Sequence, residues 1–390
     1  MRHSTYLEVC LGNIAHNISG VRRLVGKAEL IPMVKGNAYG HGIGRVSQFL
    51  HDECGIKKLG VASLGEALAI RDNQPSIAKS SNSEIFVFSD TEVLNEGLHH
   101  YYQTSAQQGV HLTPILGTTM QLKMFCASSA FKQTKLCLKV NTGMNRLGLK
   151  LNEIRDVVPL LTERGGVDIL LQHFSVSGSP ERVNETYTHY DNFRKAKQLL
   201  LDSGVEVRET SVSNSGAIEQ QIGINESYIR PGIMLYGPRG VYSKNLWNGR
   251  PASYFYTKVL HHFPVRKDEG VGYDLSPAQD DGVMVLLPIG YADGLLRCYH
   301  GMPITVTPQE AQEPITGTLH GLVNMDMAAV MVYPKLVGKD IGDIMTAVKD
   351  ESRVLVWGGD VGEKAEAVGS VAYQLMCGLS IRVPRVYKEI

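Results

Sequence analysis

The chain has 390 residues, of which 43% are hydrophobic and 20% are charged, a balance typical of a globular protein that buries a large core. Its 39 basic residues balance 39 acidic ones, which argues against a nucleic-acid backbone or an anionic membrane as partner. Six scattered cysteines form no CxxC pair, so we predict reduced thiols and neither a disulfide framework nor a metal site. No stretch resembles a signal peptide or a membrane helix, and we expect a cytoplasmic protein.

Between residue 28 and about residue 236, short apolar runs alternate with segments of helical period. One such segment carries Ile43, Val46 and Leu50 at helical spacing, and a longer one ends at Gly204. The eight runs are "ELIPMV", "KLGVAS", "SEIFVFS", "VHLTPIL", "TKLCLKV", "VDILLQHF", "EVRETSVS" and "SYIRPGIMLYG". Eight runs alternating with helices predict a (β/α)8 barrel, with a doubly wound sheet as the competing reading.

After about residue 240 the helical period fades. The runs there are short, rich in β-branched residues and punctuated by Gly and Pro, as in "MPITVTP", "AAVMVYP" and "SRVLVWGG". This composition predicts a separate, mostly β domain. We therefore assign residues 1–240 to the barrel and residues 241–390 to a C-terminal β domain.

Polar side chains stand at the predicted strand ends of the barrel. Because the carboxyl ends of barrel strands meet at one mouth, we expect these side chains to share one rim. The rim set, in chain order, is Lys35, Lys139, Arg146, His173, Asn214, Ser215 and Arg230.

Lys35 ends the first run, inside "LIPMVKGNAYGHG", and its position allows two interpretations of its role. It either caps the strand and reaches water, or it has a chemical role. A lysine among apolar neighbours loses its charge readily, and a neutral amine forms a Schiff base with an aldehyde such as pyridoxal phosphate (PLP). The segments "SNSG" and "RPGI" supply the backbone N–H groups and hydroxyls that a phosphate needs.

Nine motifs in series carry a family resemblance. They are "VKGNAYGHG", "LKVNTGMNRLG", "HFSVS", "NSG", "RPGIMLYG", "VGYD", "LPIGYADG", "NMDM" and "RVPR". In this order they resemble the motifs of alanine racemases, whose fold is a (β/α)8 barrel followed by a β domain. The resemblance implies interconversion of L- and D-alanine, which supplies D-alanine for peptidoglycan.

The resemblance also implies a two-base mechanism in a head-to-tail homodimer. Lys35 would hold PLP and act as one base, and Tyr273 would reach the site from the partner subunit as the other. His173 would hydrogen-bond that tyrosine, and Arg230 behind it would face the pyridine nitrogen. Bases on opposite faces of Cα are what racemisation requires.

Further roles follow from the same resemblance. Arg146 and the backbone N–H of Met325 would hold the substrate carboxylate. Lys139 matches a lysine that many members carry as a carbamate, which would turn a cation in an apolar strand into an anion. The residues expected to bind cofactor phosphate are Tyr39, Ser215, Gly232 and Ile233, and Asn214 is expected to bind the cofactor as well. Those expected to line the entrance are Tyr291 and Asp326.

Several positions depart from the family pattern. Ile381 replaces a phosphate-binding tyrosine, which predicts weaker retention of PLP. Gly272 stands where a serine often precedes the catalytic tyrosine, and Asn141 replaces an aspartate. The alternatives left open are a racemase for serine or several amino acids, a non-catalytic PLP carrier and a decarboxylase of related fold. Carriers lack the second domain and its tyrosine, and the glycine-rich phosphate motif of the decarboxylases is not evident.

Overall fold

The protein, seen in a computed structural model, is described over residues 3–73, 77, 83–238, 247–308 and 313–389. Residues 13–249 form one unit, and residues 1–12 with 250–390 form a second. The sequence placed residues 1–12 with the barrel, whereas in the structure the first strand, β1 (Tyr6–Cys10), pairs within the second unit. The predicted boundary at residue 240 lies outside the described residues.

The first unit is built on eight parallel strands, one from each apolar run of the sequence. Their order in the sheet follows the chain from β3 to β9, with β2 beside β9. The peptide N–H of Val34 donates to the carbonyl of Gly60 over 2.8 Å, which joins the first strand to the second and closes the ring. This confirms the barrel over the doubly wound sheet. The strands are β2 (Glu29–Leu30), β3 (Lys58–Val61), β4 (Ser83–Val87), β5 (Val110–Leu116), β6 (Cys137–Lys139), β7 (Val167–Leu171), β8 (Val207–Ser211) and β9 (Tyr228–Ile229).

Large side chains from different strands fill the inside of the barrel. Ile31, Phe86, Ile115, Ile169 and Tyr228 form one buried cluster. Parallel strands are covered on both faces, which explains why β4 is buried at every position and β5 at all but one. Because the centre is packed, a polar site has room only at the barrel ends.

Helices alternate with the barrel strands as the sequence predicts. The segment that Gly204 was expected to end is α-helical to Asp202, and Gly204 takes a positive φ of 78°. The helices are α1 (Leu11–Val25), α2 (Lys35–Tyr39, a short segment with left-handed backbone after Lys35), α3 (Ile43–Asp52), α4 (Leu64–Asn73), α5 (His99–Gln107), α6 (Thr119–Ala127), α7 (Leu151–Glu163), α8 (Val183–Asp202) and α9 (Ser215–Glu219).

The second unit is a mostly β domain. Its nine-stranded sheet has the order β11-β14-β17-β16-β15-β18-β10-β1-β19, and its pairs are antiparallel except for β1 with β19. The strands are β10 (Ser253–Lys258), β11 (His261–Val265), β14 (Gly282–Leu287), β15 (Pro303–Thr307), β16 (Ile315–His320), β17 (Ala328–Val332), β18 (Arg353–Trp357) and β19 (Arg385–Lys388), with a separate hairpin of β12 (Gly270–Val271) and β13 (Ser276–Pro277). Its helices are α10 (Pro334–Val337), α11 (Ile341–Ala347), α12 (Val361–Ala367) and α13 (Ala372–Cys377).

Among the described residues, no helix combines the length and the apolar character needed to cross a membrane.

Candidate active site

The chain makes a left-handed turn immediately after Lys35. The five residues from Gly36 to Gly40 all have positive φ, between 52° and 84°. This conformation costs a residue with a Cβ roughly 1–2 kcal/mol. Asn37, Ala38 and Tyr39 are such residues, so neighbouring groups must hold the turn. One bond comes from Asn37, whose side-chain oxygen accepts from the N–H of Ile43 over 2.8 Å at the start of α3.

The turn places the ring of Tyr39 in a buried corner beside the last barrel strand. Its ring stacks on Tyr236 with 4.8 Å between centroids, and the Tyr236 hydroxyl donates to the carbonyl of Met33 over 3.1 Å. A Cβ at Gly232 would lie 2.5 Å from the hydroxyl of Tyr39. A side chain at residue 232 would therefore displace the Tyr39 hydroxyl, which lies against the backbone of the "RPG" segment.

A second hydroxyl reaches the same corner from the strand before. The peptide N–H of Gly232 donates to Ser215 Oγ over 2.9 Å, and Ile233 begins a buried 3-10 turn (Ile233–Tyr236) just beyond. Asn214 caps the helix that follows, since its side-chain oxygen accepts from Ala217 N–H. Two hydroxyls and the backbone of a tight turn converge here, which is a donor set that fits a phosphate group.

Cations crowd the rim beside this corner. Lys139 ends strand β6 with only 6% of its surface exposed. Burial, together with the charges of Arg146, Arg230 and Lys35, lowers the pKa of Lys139 to about 8. Among the described residues, no carboxylate pairs with Lys139. The rim is thus a positively charged, partly dry site that favours bound anions.

The structure places His173 within reach of the same charges. Burial first, and then Arg230 and Lys139, hold the pKa of its imidazole well below the ordinary value. The ring is therefore neutral at physiological pH. Its Nε2 lies 3.5 Å from the amide nitrogen of Asn214, which also donates to the carbonyl of Phe174.

Arg230, which directly follows strand β9, is held at the rim by backbone and hydroxyl acceptors. Its guanidinium donates to the carbonyl of Gln172 over 2.5 Å, to that of Val212 over 3.2 Å, and to Ser211 Oγ. Burial lowers its pKa to about 10, which still leaves it charged at neutral pH. This side chain is a rigid, permanent cation facing the other rim groups.

We expect the free energy of unfolding of the cofactor-free protein to depend on pH through the buried charge of Lys139. Below pH 8 the native state carries a buried ammonium that the unfolded state solvates freely. As the pH rises from 8 towards 10, the native state loses this proton before the unfolded state does. The wild type should then gain about 2–3 kcal/mol relative to Lys139→Met.

Urea denaturation in buffers free of carbon dioxide, at several pH values from 7 to 10, measures this difference. The exposed Lys132→Met is the matched control and should show no such trend. A difference between wild type and Lys139→Met that stays constant with pH would contradict the prediction.

Tyr273 lies in the second unit, at the tip of the β12–β13 hairpin. Its side chain is 61% exposed, and the Arg297 guanidinium lies 5.7 Å from the ring centroid. Gly272 just before it has φ 65° and ψ −155°, a region that is essentially open to glycine alone. Asp274 and Leu275 also have positive φ. The glycine thus permits a sharp loop that presents the tyrosine to solvent.

The predicted entrance residues also come together in the second unit. The N–H of Tyr291 donates to the carbonyl of Asn324, and the N–H of Ala292 to that of Met325, over 2.9 and 3.1 Å. The two loops press so closely that a Cβ at Gly290 would lie 2.2 Å from backbone oxygen. Tyr291, Met325 and Asp326 thereby form one exposed surface.

The sequence reading missed an arginine that braces these loops. Arg382 donates twice to the buried Asp293, over 2.7 and 2.8 Å, and once to Asp326 over 2.8 Å. Paired bonds of this kind between a guanidinium and a carboxylate are strong and directional. Both Arg382 and Tyr236 lie within the quoted motifs "RVPR" and "RPGIMLYG", but their partners are distant in sequence and leave no spacing signal.

Comparisons with known proteins agree with this architecture. Residues 9–240 match the model of the alanine racemase N-terminal domain, and residues 252–387 match that of the C-terminal domain. The alanine racemase of Alcanivorax borkumensis is 28% identical over 397 aligned positions, which cover 98% of both chains.

Solved structures of alanine racemases match the chain as well. That of the alanine racemase of Acinetobacter baumannii has a TM-score of 0.78 at 26% identity and covers 99% of both chains. That of the biosynthetic alanine racemase of Pseudomonas aeruginosa has a TM-score of 0.80 at 26% identity and covers 99% of this chain and 100% of the other. Both units of this chain match the same family over nearly their whole length, and the protein therefore belongs to the alanine racemase family of isomerases.

Proposed function

We propose that this protein interconverts L- and D-alanine with PLP as cofactor. The observation that carries the proposal is the corner formed by Tyr39, Ser215 and Gly232 beside a cationic rim that includes Lys35. The corner suits a phosphate, and the rim suits the carboxylate of an amino acid. A lysine between them is the residue that an aldehyde cofactor needs.

Lys35 would hold the cofactor, and Tyr39, Ser215, Gly232 and Ile233 would hold its phosphate. When bound, PLP supplies an electron sink that acidifies the proton on the substrate Cα. Arg230 would face the pyridine nitrogen. Because an arginine keeps its own protons, it cannot protonate that nitrogen, and the sink stays moderate, which disfavours side reactions.

Arg146 would bind the substrate carboxylate, together with the backbone N–H of Met325 of the partner subunit. Lys139 supports Arg146 in this role if it carries a carbamate. Its pKa of about 8 leaves a substantial neutral fraction near neutrality, and only a neutral amine reacts with carbon dioxide. The resulting anion would relieve the repulsion among Lys139, Arg146 and Arg230.

Two bases on opposite faces of Cα would move the proton. Lys35 Nζ would remove or return it on one face, and the phenol oxygen of Tyr273 of the partner subunit would do so on the other. A phenol needs help to act as a base near neutral pH, because its reference pKa is ~10. The neutral His173 would hydrogen-bond that phenol, and the fixed charge of Arg230 behind it would favour the phenolate.

Exposed apolar side chains in the second unit support the homodimer in this proposal. Tyr273, Leu275, Met325 and Ile381 are 61%, 72%, 53% and 92% exposed. Large apolar side chains gathered on such loops are typical of an association surface. A head-to-tail dimer would bring them to the barrel mouth of a second copy.

We further propose that the enzyme acts in the cytoplasm and supplies D-alanine for peptidoglycan.

Chiral analysis of the product formed from pure L-alanine and pure D-alanine tests the activity. PLP-loaded protein should convert each enantiomer to the racemate, and parallel assays with serine and lysine distinguish a strict alanine racemase from one of broader specificity. Protein that binds PLP yet forms no D-alanine would refute the proposal.

We expect Ile381→Tyr to retain PLP longer than the wild type. A tyrosine here would restore the phosphate-binding hydroxyl that the family pattern contains and this chain lacks. One hydrogen bond to a charged phosphate is worth about 1.5–3 kcal/mol, so the rate of PLP loss should fall roughly tenfold or more. PLP occupancy after timed dialysis measures the effect, with Ile381→Phe as the control that adds a ring without the hydroxyl. Equal retention in all three proteins would rule out this role.

A further inference from the structure

A carboxylate outside the predicted site holds the turn that follows Lys35. Glu66 lies in the first turn of α4. Its Oε1 accepts from the N–H of Gly36 over 2.7 Å and from that of Asn37 over 3.4 Å. Its Oε2 accepts from the N–H of Ala62 over 2.8 Å. One side chain therefore ties the end of the first barrel strand to the end of the second.

Helix capping explains only half of this arrangement. The sequence "SLGE" at residues 63–66 has the capping-box pattern, and Ser63 Oγ accepts from the N–H of Glu66 over 3.3 Å. In a full capping box the glutamate would accept from the N–H of the cap residue, Ser63, whereas Oε2 accepts from that of Ala62, one residue earlier. The bonds from Oε1 leave the helix altogether and add nothing to its stability.

The turn is where such bonds are needed. Its left-handed conformation is unfavourable at three residues that carry a Cβ, Asn37, Ala38 and Tyr39. The two N–H groups from which Glu66 Oε1 accepts, those of Gly36 and Asn37, are the first two of this turn. They are also the first two N–H groups after Lys35, so the same bonds fix the backbone from which Lys35 projects and the direction in which Tyr39 leaves.

A carboxylate is the group that this geometry requires. Three N–H donors from two segments point at two oxygens, and both oxygens must accept. Glutamine has the same shape but presents an NH₂ group to one set of donors. It would lose either the bonds at Gly36 and Asn37 or the bond at Ala62. Aspartate keeps two acceptors but is one methylene shorter.

From this geometry we infer that Glu66 is a positioning residue, which sets Lys35 and Tyr39 for the cofactor through the backbone of the turn between them. The inference rests on the proposed function for the identity of that cofactor. The hydrogen bonds on which it is based join residues of one protomer and do not involve the cofactor.

The test compares wild type, Glu66→Gln, Glu66→Asp and Ser63→Ala. Ser63→Ala is the matched control, because it weakens the same helix start without touching the turn. Backbone hydrogen exchange of residues 35–40 in the cofactor-free protein should accelerate at least about tenfold in Glu66→Gln and stay unchanged in Ser63→Ala. PLP loss during dialysis should accelerate about tenfold in Glu66→Gln, less in Glu66→Asp, and not at all in Ser63→Ala. Thermal melting of each variant confirms that it is folded.

Equal effects of Glu66→Gln and Ser63→Ala would overturn the inference, since they would reduce Glu66 to a helix cap. So would unchanged exchange of the turn in Glu66→Gln. Failure of the proposed function has a different signature. In that case the wild type would neither retain PLP nor racemise alanine, while Glu66→Gln would still loosen the turn, and the bonds of Glu66 would serve another ligand of Lys35.

Discussion

Replacing Lys35 by alanine is expected to lower alanine racemisation in both directions by about 10⁴-fold or more. The change removes the side chain that would hold the cofactor and, at the same time, a base worth roughly 10²–10⁴. It should leave the fold intact, because the turn after residue 35 is held by backbone bonds to Glu66 and by the packing of Tyr39 against Tyr236.

Chiral chromatography of product from each enantiomer measures the loss, and PLP absorbance after dialysis measures the cofactor. The exposed Lys132→Ala is the matched control and should keep full activity. If Lys35→Ala retained a tenth of the wild-type rate, another residue would have to be the base, and the proposed site would be wrong.

Replacing Tyr273 by phenylalanine is expected to lower racemisation about 10²–10⁴-fold while leaving half of the chemistry in place. The substitution removes one oxygen and keeps the ring that Arg297 contacts. Because Lys35 would still serve one face of Cα, one enantiomer should continue to exchange its Cα proton with solvent. The other enantiomer should exchange far more slowly.

Proton exchange in deuterated water, followed by NMR for L-alanine and D-alanine separately, resolves the two faces. Tyr187→Phe, at a half-exposed tyrosine on helix α8, is the control and should behave as wild type. Equal exchange of both enantiomers in Tyr273→Phe, or full racemisation, would contradict the assignment of two bases.

The proposed mechanism depends on the excess of positive charge at the barrel rim. Burial first, and then repulsion from Arg146 and Arg230, lowers the pKa of Lys139. A bound carboxylate, phosphate or carbamate would relieve this repulsion, so the positive charge of the rim favours anions. Asn141, which lies between Lys139 and Arg146 in the chain, carries a neutral amide and adds no compensating charge. In the structure, that amide oxygen accepts from Gly143 and Asn145 and shapes the loop before Arg146.

The sequence was enough to predict the eight barrel strands and the mostly β domain. Strand and helix periods are local properties, and each apolar run became a strand. It did not predict that β1 joins the second unit. Leu7 pairs with Phe255 and with Arg385, and nothing in the five residues of β1 encodes partners so far along the chain.

The candidate site shows the same division. Strand ends in the sequence pointed to Lys35, Ser215 and Arg230, because the carboxyl ends of barrel strands must meet, and the family resemblance added Tyr39. The residues that hold them in place gave no such signal. Glu66 resembles an ordinary helix cap, and Arg382 resembles an ordinary surface charge, until their partners 30 and 89 residues away are known.

What the sequence determined by itself was therefore the order of strands and helices and the kinds of groups at the barrel mouth. The tertiary structure decided how those groups are held and what their surroundings do to them. Chain periodicity reports only near neighbours, whereas the left-handed turn after Lys35, the carboxylate of Glu66 that bonds it and the burial that lowers the pKa of Lys139 all depend on segments brought together by folding.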